Sequence, residues 1–149
     1  MFMKQKQEHA IYQISLKVLF RDGEKVLITI GDKKDIDLPG GRIDAVEINA
    51  PLEDVIAREI REELGEDVKF RLGKVLFVNR SFGEVAGLWV FHIVFDAVYL
   101  SGDIKLSPEH ISYEWVEGKT YQVKRDAFLK KDEEKYERFR EYFESLTRN

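Results

Sequence analysis

LPGGRIDAVEINAPLEDVIAREIREELGE, from Leu38 to Glu66, joins a Pro-Gly-Gly turn to a segment crowded with carboxylates. Asn49 is an acceptable N-cap, Pro51 suits a first helical turn, and Gly65 stands where a left-handed C-terminal cap is wanted. A helix is therefore expected from about Ala50 to Leu64. Within it Glu59, Glu62 and Glu63 fall at i, i+3 and i+4 on one face, with Glu66 one turn further along. Ile56, Ile60 and Leu64 form the adjoining apolar stripe. Like charges at neighbouring helical positions repel by a few tenths of a kcal/mol per pair, so helix propensity does not account for the cluster. A hard divalent cation such as magnesium, which prefers oxygen ligands, accounts for it. So does a solvated acidic face balanced by Arg58 and Arg61.

The turn and the helix together resemble the Nudix hydrolase signature, G-x5-E-x7-R-E-U-x-E-E-x-G-U, where U is aliphatic. Gly41 and Glu47 match its first half; Arg58, Glu59, Ile60, Glu62, Glu63 and Gly65 match its second. Two departures are visible: ten residues separate Glu47 from Arg58 where the family has seven, and Glu66 takes the last aliphatic position, with Val68 two residues on. The additional residues are expected to bulge between Ile48 and Leu52. Because they precede the helix, they leave the spacing of its Arg and Glu residues unchanged.

The resemblance implies an α+β fold, an α/β/α sandwich with a mixed sheet between helices, covering roughly Ile11 to Val116. It also implies magnesium-dependent hydrolysis, with manganese as a substitute ion, of a nucleoside diphosphate linked to another group (NDP-X), giving NMP and P-X by water attack on phosphorus. Glu59, Glu62 and Glu63 would be metal ligands, with the backbone carbonyl of the Gly40-Gly41 turn, assigned to Gly41, as a further one. Arg58 would orient the carboxylates by charge-assisted hydrogen bonds. Glu109, six residues before Trp115, resembles a loop glutamate of the family and would serve as a further ligand or as the base for the attacking water. Two other readings keep the fold: a catalytically silent nucleotide sensor, and an RNA 5'-end pyrophosphohydrolase, which would need a basic track.

The 149 residues suit a single domain spanning 1-149, long enough to bury roughly two thirds of the surface that the unfolded chain exposes. Cysteine is absent, which excludes disulfides, thiolate metal sites and cysteine nucleophiles. The formal net charge of -4 is a poor footprint for nucleic-acid or anionic-membrane binding, whereas a small anion delivered with a metal remains compatible with it. No window approaches a membrane span, the first ten residues lack an apolar export region, and neither a P-loop nor a dinucleotide fingerprint occurs. The expectation is a cytoplasmic protein acting on a small nucleotide-type substrate as a monomer or homodimer.

Elsewhere, Ile11 to Phe20 alternates as a half-buried strand, Asp22-Gly23 signals a hairpin, and Lys25 to Ile30 returns. Val68 to Val78, with a bend at Gly73, and Ala86 to Leu100 read as longer strands. The loop Ser81 to Gly87 between them offers Phe82 either as a stacking surface or as an ordinary hairpin residue. Leu88 to Phe95 reads as a strand covered on both faces, with Trp89 in the core and His92 a hydrogen-bonded wall residue. A short strand holds Tyr113, Trp115 and Val116. From Lys131 to Thr147, Tyr136, Phe139, Phe143 and Leu146 recur at helical spacing, as in an amphipathic helix that docks on the sheet.

Overall fold

The computed structural model describes residues 6–84 and 86–148. In chain order the elements are β1 (Tyr12–Asp22), β2 (Lys25–Gly31), β3 (Ile36–Asp37), β4 (Gly40–Arg42), α1 (Leu52–Leu64), β5 (Lys69–Gly83), β6 (Leu88–Ser101), β7 (His110–Glu117) and α2 (Glu133–Thr147). The central strand is β1. It runs parallel to β6 from Tyr12 opposite Trp89 to Arg21 opposite Val98. Its other edge is shared: Ser15 to Lys17 pair antiparallel with β4, and Arg21 and Asp22 close a tight hairpin with β2. β7 adds to β2, and β5 to β6, so parallel and antiparallel ladders mix in one sheet.

Side-chain alternation along β1 separates two cores. Leu16, Val18 and Phe20 meet Val55, Ile56, Ile60 and Leu64 of α1 on one face. Leu19 joins Val94 and the α2 residues Phe139 and Phe143 on the other. The molecule is thus an α+β sandwich, a mixed sheet held between two helices. Burial of each such aliphatic side chain is worth about 1.5–3 kcal/mol, so Ile60→Ala would cost about 2–5 kcal/mol. The half-buried reading of β1 is corrected at its second face, where α2 packs with Leu19 and leaves it as buried as Leu16, and where Ser15 is buried too.

Three further expectations change. The helix begins at Leu52, with Pro51 rather than Asn49 as its cap (φ -55°, ψ 138°). Proline drives the residue before it out of the helical region, so Ala50 cannot open the helix, and the Pro51 carbonyl accepts the first helical bonds from Asp54 and Val55. Residues Ser81 to Gly83 belong to β5, which pairs with β6 up to Gly83 opposite Leu88, so the connection is shorter than the glycines suggested. Trp89 is 52% exposed rather than core, and it packs edge to face on Phe82. The bend near Gly73 is present, as a register shift between Leu72 and Val75. Among the described residues no helix is long and apolar enough to cross a membrane.

Candidate active site

The Pro39-Gly40-Gly41 turn lies directly on the carboxylate face of α1, and neither glycine has free space for a side chain. Gly40 has φ +132°, and a side chain there would collide with the backbone of Leu16 and Lys17. At Gly41 the place of a Cβ is taken by the carboxylate of Glu59. The Gly40 N–H donates to Glu63 Oε2 at 2.7 Å. Glu59 and Glu63 are consequently buried, 8% and 5% exposed, although they are charged residues of a surface helix. Burial pushes the Glu63 carboxyl up to about 7, against the opposing pull of Lys17, the Gly40 N–H and His110. Glu59 is raised for the same reason, with Arg58 opposing.

Arg58 organises the outer half of the cluster. Its Nε donates to Glu47 Oε2 at 2.7 Å and its Nη2 to Glu47 Oε1 at 2.5 Å, a two-point grip. Nη1 reaches Glu62 at 3.1 Å, while Nη2 lies 3.0 Å from Glu59 and 3.4 Å from the Arg42 carbonyl. The guanidinium is held charged above its ordinary value, chiefly by the bond to Glu47, and the Glu47 carboxyl is correspondingly lowered. The added residues before the helix therefore do not carry Glu47 away from Arg58. A short 3-10 turn, Ala45–Glu47, precedes the extra chain, within which the Ala50 N–H bonds to the Glu47 carbonyl at 2.8 Å and Ile48 projects into solvent.

Glu59, Glu62, Glu63, Arg58, Gly41 and Glu109 line one open cleft. Glu109 reaches it because its loop is laced to the end of α1, where the Lys105 and Ser107 N–H groups donate to the carbonyls of Leu64 and Glu63. His110 lines the same cleft but is itself buried, with Nε2 3.7 Å from Asp37 Oδ2, and the contact with Asp37 raises its pKa. His92 bonds Ser81 Oγ at 2.8 Å, and burial together with the charges of Lys17 and Lys135 lowers it to about 3, so it stands neutral as a wall residue.

The donor set suits a hard divalent ion: it is oxygen throughout, and two of the carboxylates are desolvated while a carbonyl-bearing turn lies against them. The carboxylates do not yet converge. Glu59 faces Gly41 and Arg58, Glu63 faces Gly40, and Glu62 points outward with its side chain 59% exposed, so no three acidic or histidine groups share one point among the described residues. Sequence reasoning missed Lys17 and Asp37, which adjoin the cluster from β1 and β3. The signal available was a lysine in the middle of an apolar strand.

The sandwich and its Gly-Gly turn over an Arg-Glu helix define a hydrolase of the phosphoanhydride-cleaving class. The family model described as NUDIX domain matches residues 12–139, and the chain belongs to that family. Among solved structures it is similar to a MutT protein from Methanosarcina mazei Go1, at 27% identity and TM-score 0.65 over 95% of this chain and 97% of that one. A UDP-X diphosphatase shares the fold at 17% identity and TM-score 0.65, over 95% of this chain and 66% of the other. So does an ADP-ribose pyrophosphatase from Streptococcus suis 89-1591, at 15% identity and TM-score 0.62 over 91% and 92%. No curated protein matches the sequence.

Proposed function

We propose that the protein hydrolyses a phosphoanhydride bond in a small NDP-X substrate, releasing NMP and P-X, with magnesium, or manganese in its place, held by Glu59, Glu62, Glu63 and the Gly41 carbonyl. The observation that carries this reading is the Gly40-Gly41 turn seated on two buried carboxylates, an arrangement costly to fold unless a cation and its anionic ligand use it. A bound divalent ion would neutralise phosphate charge and acidify water. Arg58 orients Glu59 and Glu62, and Gly40 fixes one oxygen of Glu63. The likeness to a UDP-X diphosphatase and an ADP-ribose pyrophosphatase supports an NDP-X class without choosing its X.

Glu109, across the cleft from these ligands, is the loop residue that assists the chemistry, as a further ligand or as the base, while His110 is committed to Asp37. The test is incubation with magnesium and a panel of nucleoside triphosphates, nucleotide sugars, ADP-ribose and dinucleoside polyphosphates, with products identified by phosphorus NMR. NMP and P-X from at least one compound are expected, and their formation should stop on chelation. Glu109→Gln should lower the maximal rate, and a shifted magnesium requirement would mark it as a ligand. Full activity of Glu109→Gln beside a dead His110→Ala would reverse that assignment.

A further inference from the structure

The side chain of Lys17 rises from the middle of β1, a strand whose neighbouring residues Leu16, Val18 and Leu19 are fully buried. A lysine there is costly unless its three N–H bonds find acceptors. They do so on one short segment. Nζ donates to the Leu38 carbonyl at 3.1 Å and to the Gly40 carbonyl at 3.4 Å, and lies 3.5 Å from Asp37 Oδ1. The backbone of Lys17 pairs with the same Gly40 in the β1–β4 ladder, and the next amide, Val18 N–H, donates to the Pro39 carbonyl at 2.9 Å. Thus β1 grips the turn from one side while the Gly40 N–H presents Glu63 on the other.

The charge on Lys17 has its own consequence. Burial works to lower its pKa, but Asp37, Glu63 and Glu59 together outweigh that and raise it, so the group is a permanent cation within the acidic cluster. Asp37 is stabilised as an anion in turn, against burial, by Lys17, Lys135 and His110. A fixed positive charge beside carboxylates lessens their mutual repulsion and also competes with any mobile cation for their field.

From this geometry we propose that Lys17 is a positioning residue of the active site: it clamps the Leu38–Gly40 segment so that the Gly-Gly turn faces α1, and it sets how tightly Glu59 and Glu63 hold a divalent ion. The proposal rests on the metal-dependent hydrolysis put forward above. A buried ion pair that only stabilises the fold would do neither.

The experiment replaces Lys17 by Met, which keeps the aliphatic stem and removes the ammonium, and measures Mn2+ binding to the metal-free protein by calorimetry at about pH 8.5, where ordinary carboxylates are ionised. Kinetics on the best substrate of the panel follow. Loss of the competing charge should tighten Mn2+ binding about tenfold. Release of the turn should lower kcat about tenfold or more while KM moves by less than about threefold. Unchanged or weaker Mn2+ binding, or an unchanged kcat, overturns the proposal even if the melting temperature falls, since a purely structural lysine moves only the latter. If Lys17→Met does not fold, Lys17→Gln, which removes the charge while keeping a donor for the Leu38 carbonyl, tests the charge alone: Mn2+ binding about tenfold tighter is expected, and unchanged or weaker binding overturns the proposal. A parent protein that turns over none of the panel defeats the hydrolase reading, and the Mn2+ measurement then decides the role of Lys17 alone.

Discussion

Arg58-Glu59-x-x-Glu62 in α1 and Arg140-Glu141-x-x-Glu144 in α2 place the same residues at the same spacing. In both, the arginine reaches the glutamate four positions on, at 3.1 Å in α1 and 3.0 Å in α2. Around α2 the remaining partners are its own: Arg140 also takes Glu137 and Arg138 takes Glu141, with side chains from about a third to a half exposed. Such pairs on a wet helix face are worth about 0.3–0.5 kcal/mol each. Around α1 the same pattern is roofed by Gly40 and Gly41, gripped from outside by Glu47 and flanked by Lys17. The difference teaches that the i, i+4 charge pattern is chemically neutral. A glycine turn that excludes water from two of the carboxylates turns it into a site.

The sharpest way to break this comparison is to neutralise one glutamate in each helix. Glu62→Gln should lose a metal-site charge and lower kcat on the order of 10³ without unfolding, as checked by circular dichroism. Glu144→Gln should remain within about twofold of the parent, as expected for a solvated pair. Equal effects would end the distinction between the helices.

A second contrast uses pH. The Glu63 carboxyl sits at about 7 in the fold against an ordinary value of 4.5, so its protonated form favours folding. Its contribution is fully present below the ordinary value and is lost as pH rises through about 7. Metal-free parent protein should therefore lose up to about 3 kcal/mol relative to Glu63→Gln between pH 4.5 and 7.5, measured by denaturant titration. A flat profile for Glu63→Gln would show that the roof does not dehydrate α1.

Gly41→Ala sharpens the role of the turn itself. The new methyl would fall on the Glu59 carboxylate, the movable end of a side chain, so stability should change by no more than about 1 kcal/mol. Mn2+ binding should nevertheless weaken about tenfold, because the displaced carboxylate no longer lies under the turn. Calorimetry and thermal melting of the same preparation separate the two effects. Smallest of all, Arg140→Ala should cost less than about 1 kcal/mol in denaturant titration, since only exposed pairs are lost.

Much of this was legible in the chain. Ile56, Ile60 and Leu64 recur at helical spacing and are buried where that spacing puts them, and Phe139 and Phe143 mark the docking face of α2 in the same way. Periodicity reports burial because an element with one apolar face must cover it. The misreadings share a cause. Leu19 was buried by a helix more than a hundred residues away in sequence, and Trp89, set between Tyr12 and Phe82 near the strand's start, stayed 52% exposed. Pro51, by contrast, was a local signal whose effect on the preceding residue outweighed a good N-cap at Asn49.

The sequence by itself determined the family signature, the two helices, the acidic face of α1 and the glycine turn that precedes it, because spacing within a helix and the conformational needs of glycine are local properties. Only the tertiary structure decided which carboxylates are dehydrated, that Glu47 still meets Arg58 across the longer connection, that Glu109 and His110 both line the cleft with His110 set against Asp37, and that Lys17 stands behind the turn. Those facts depend on strands pairing across long stretches of chain. Burial and charge environment, which set the chemistry of an ionisable group, are properties of the surroundings that such pairing assembles.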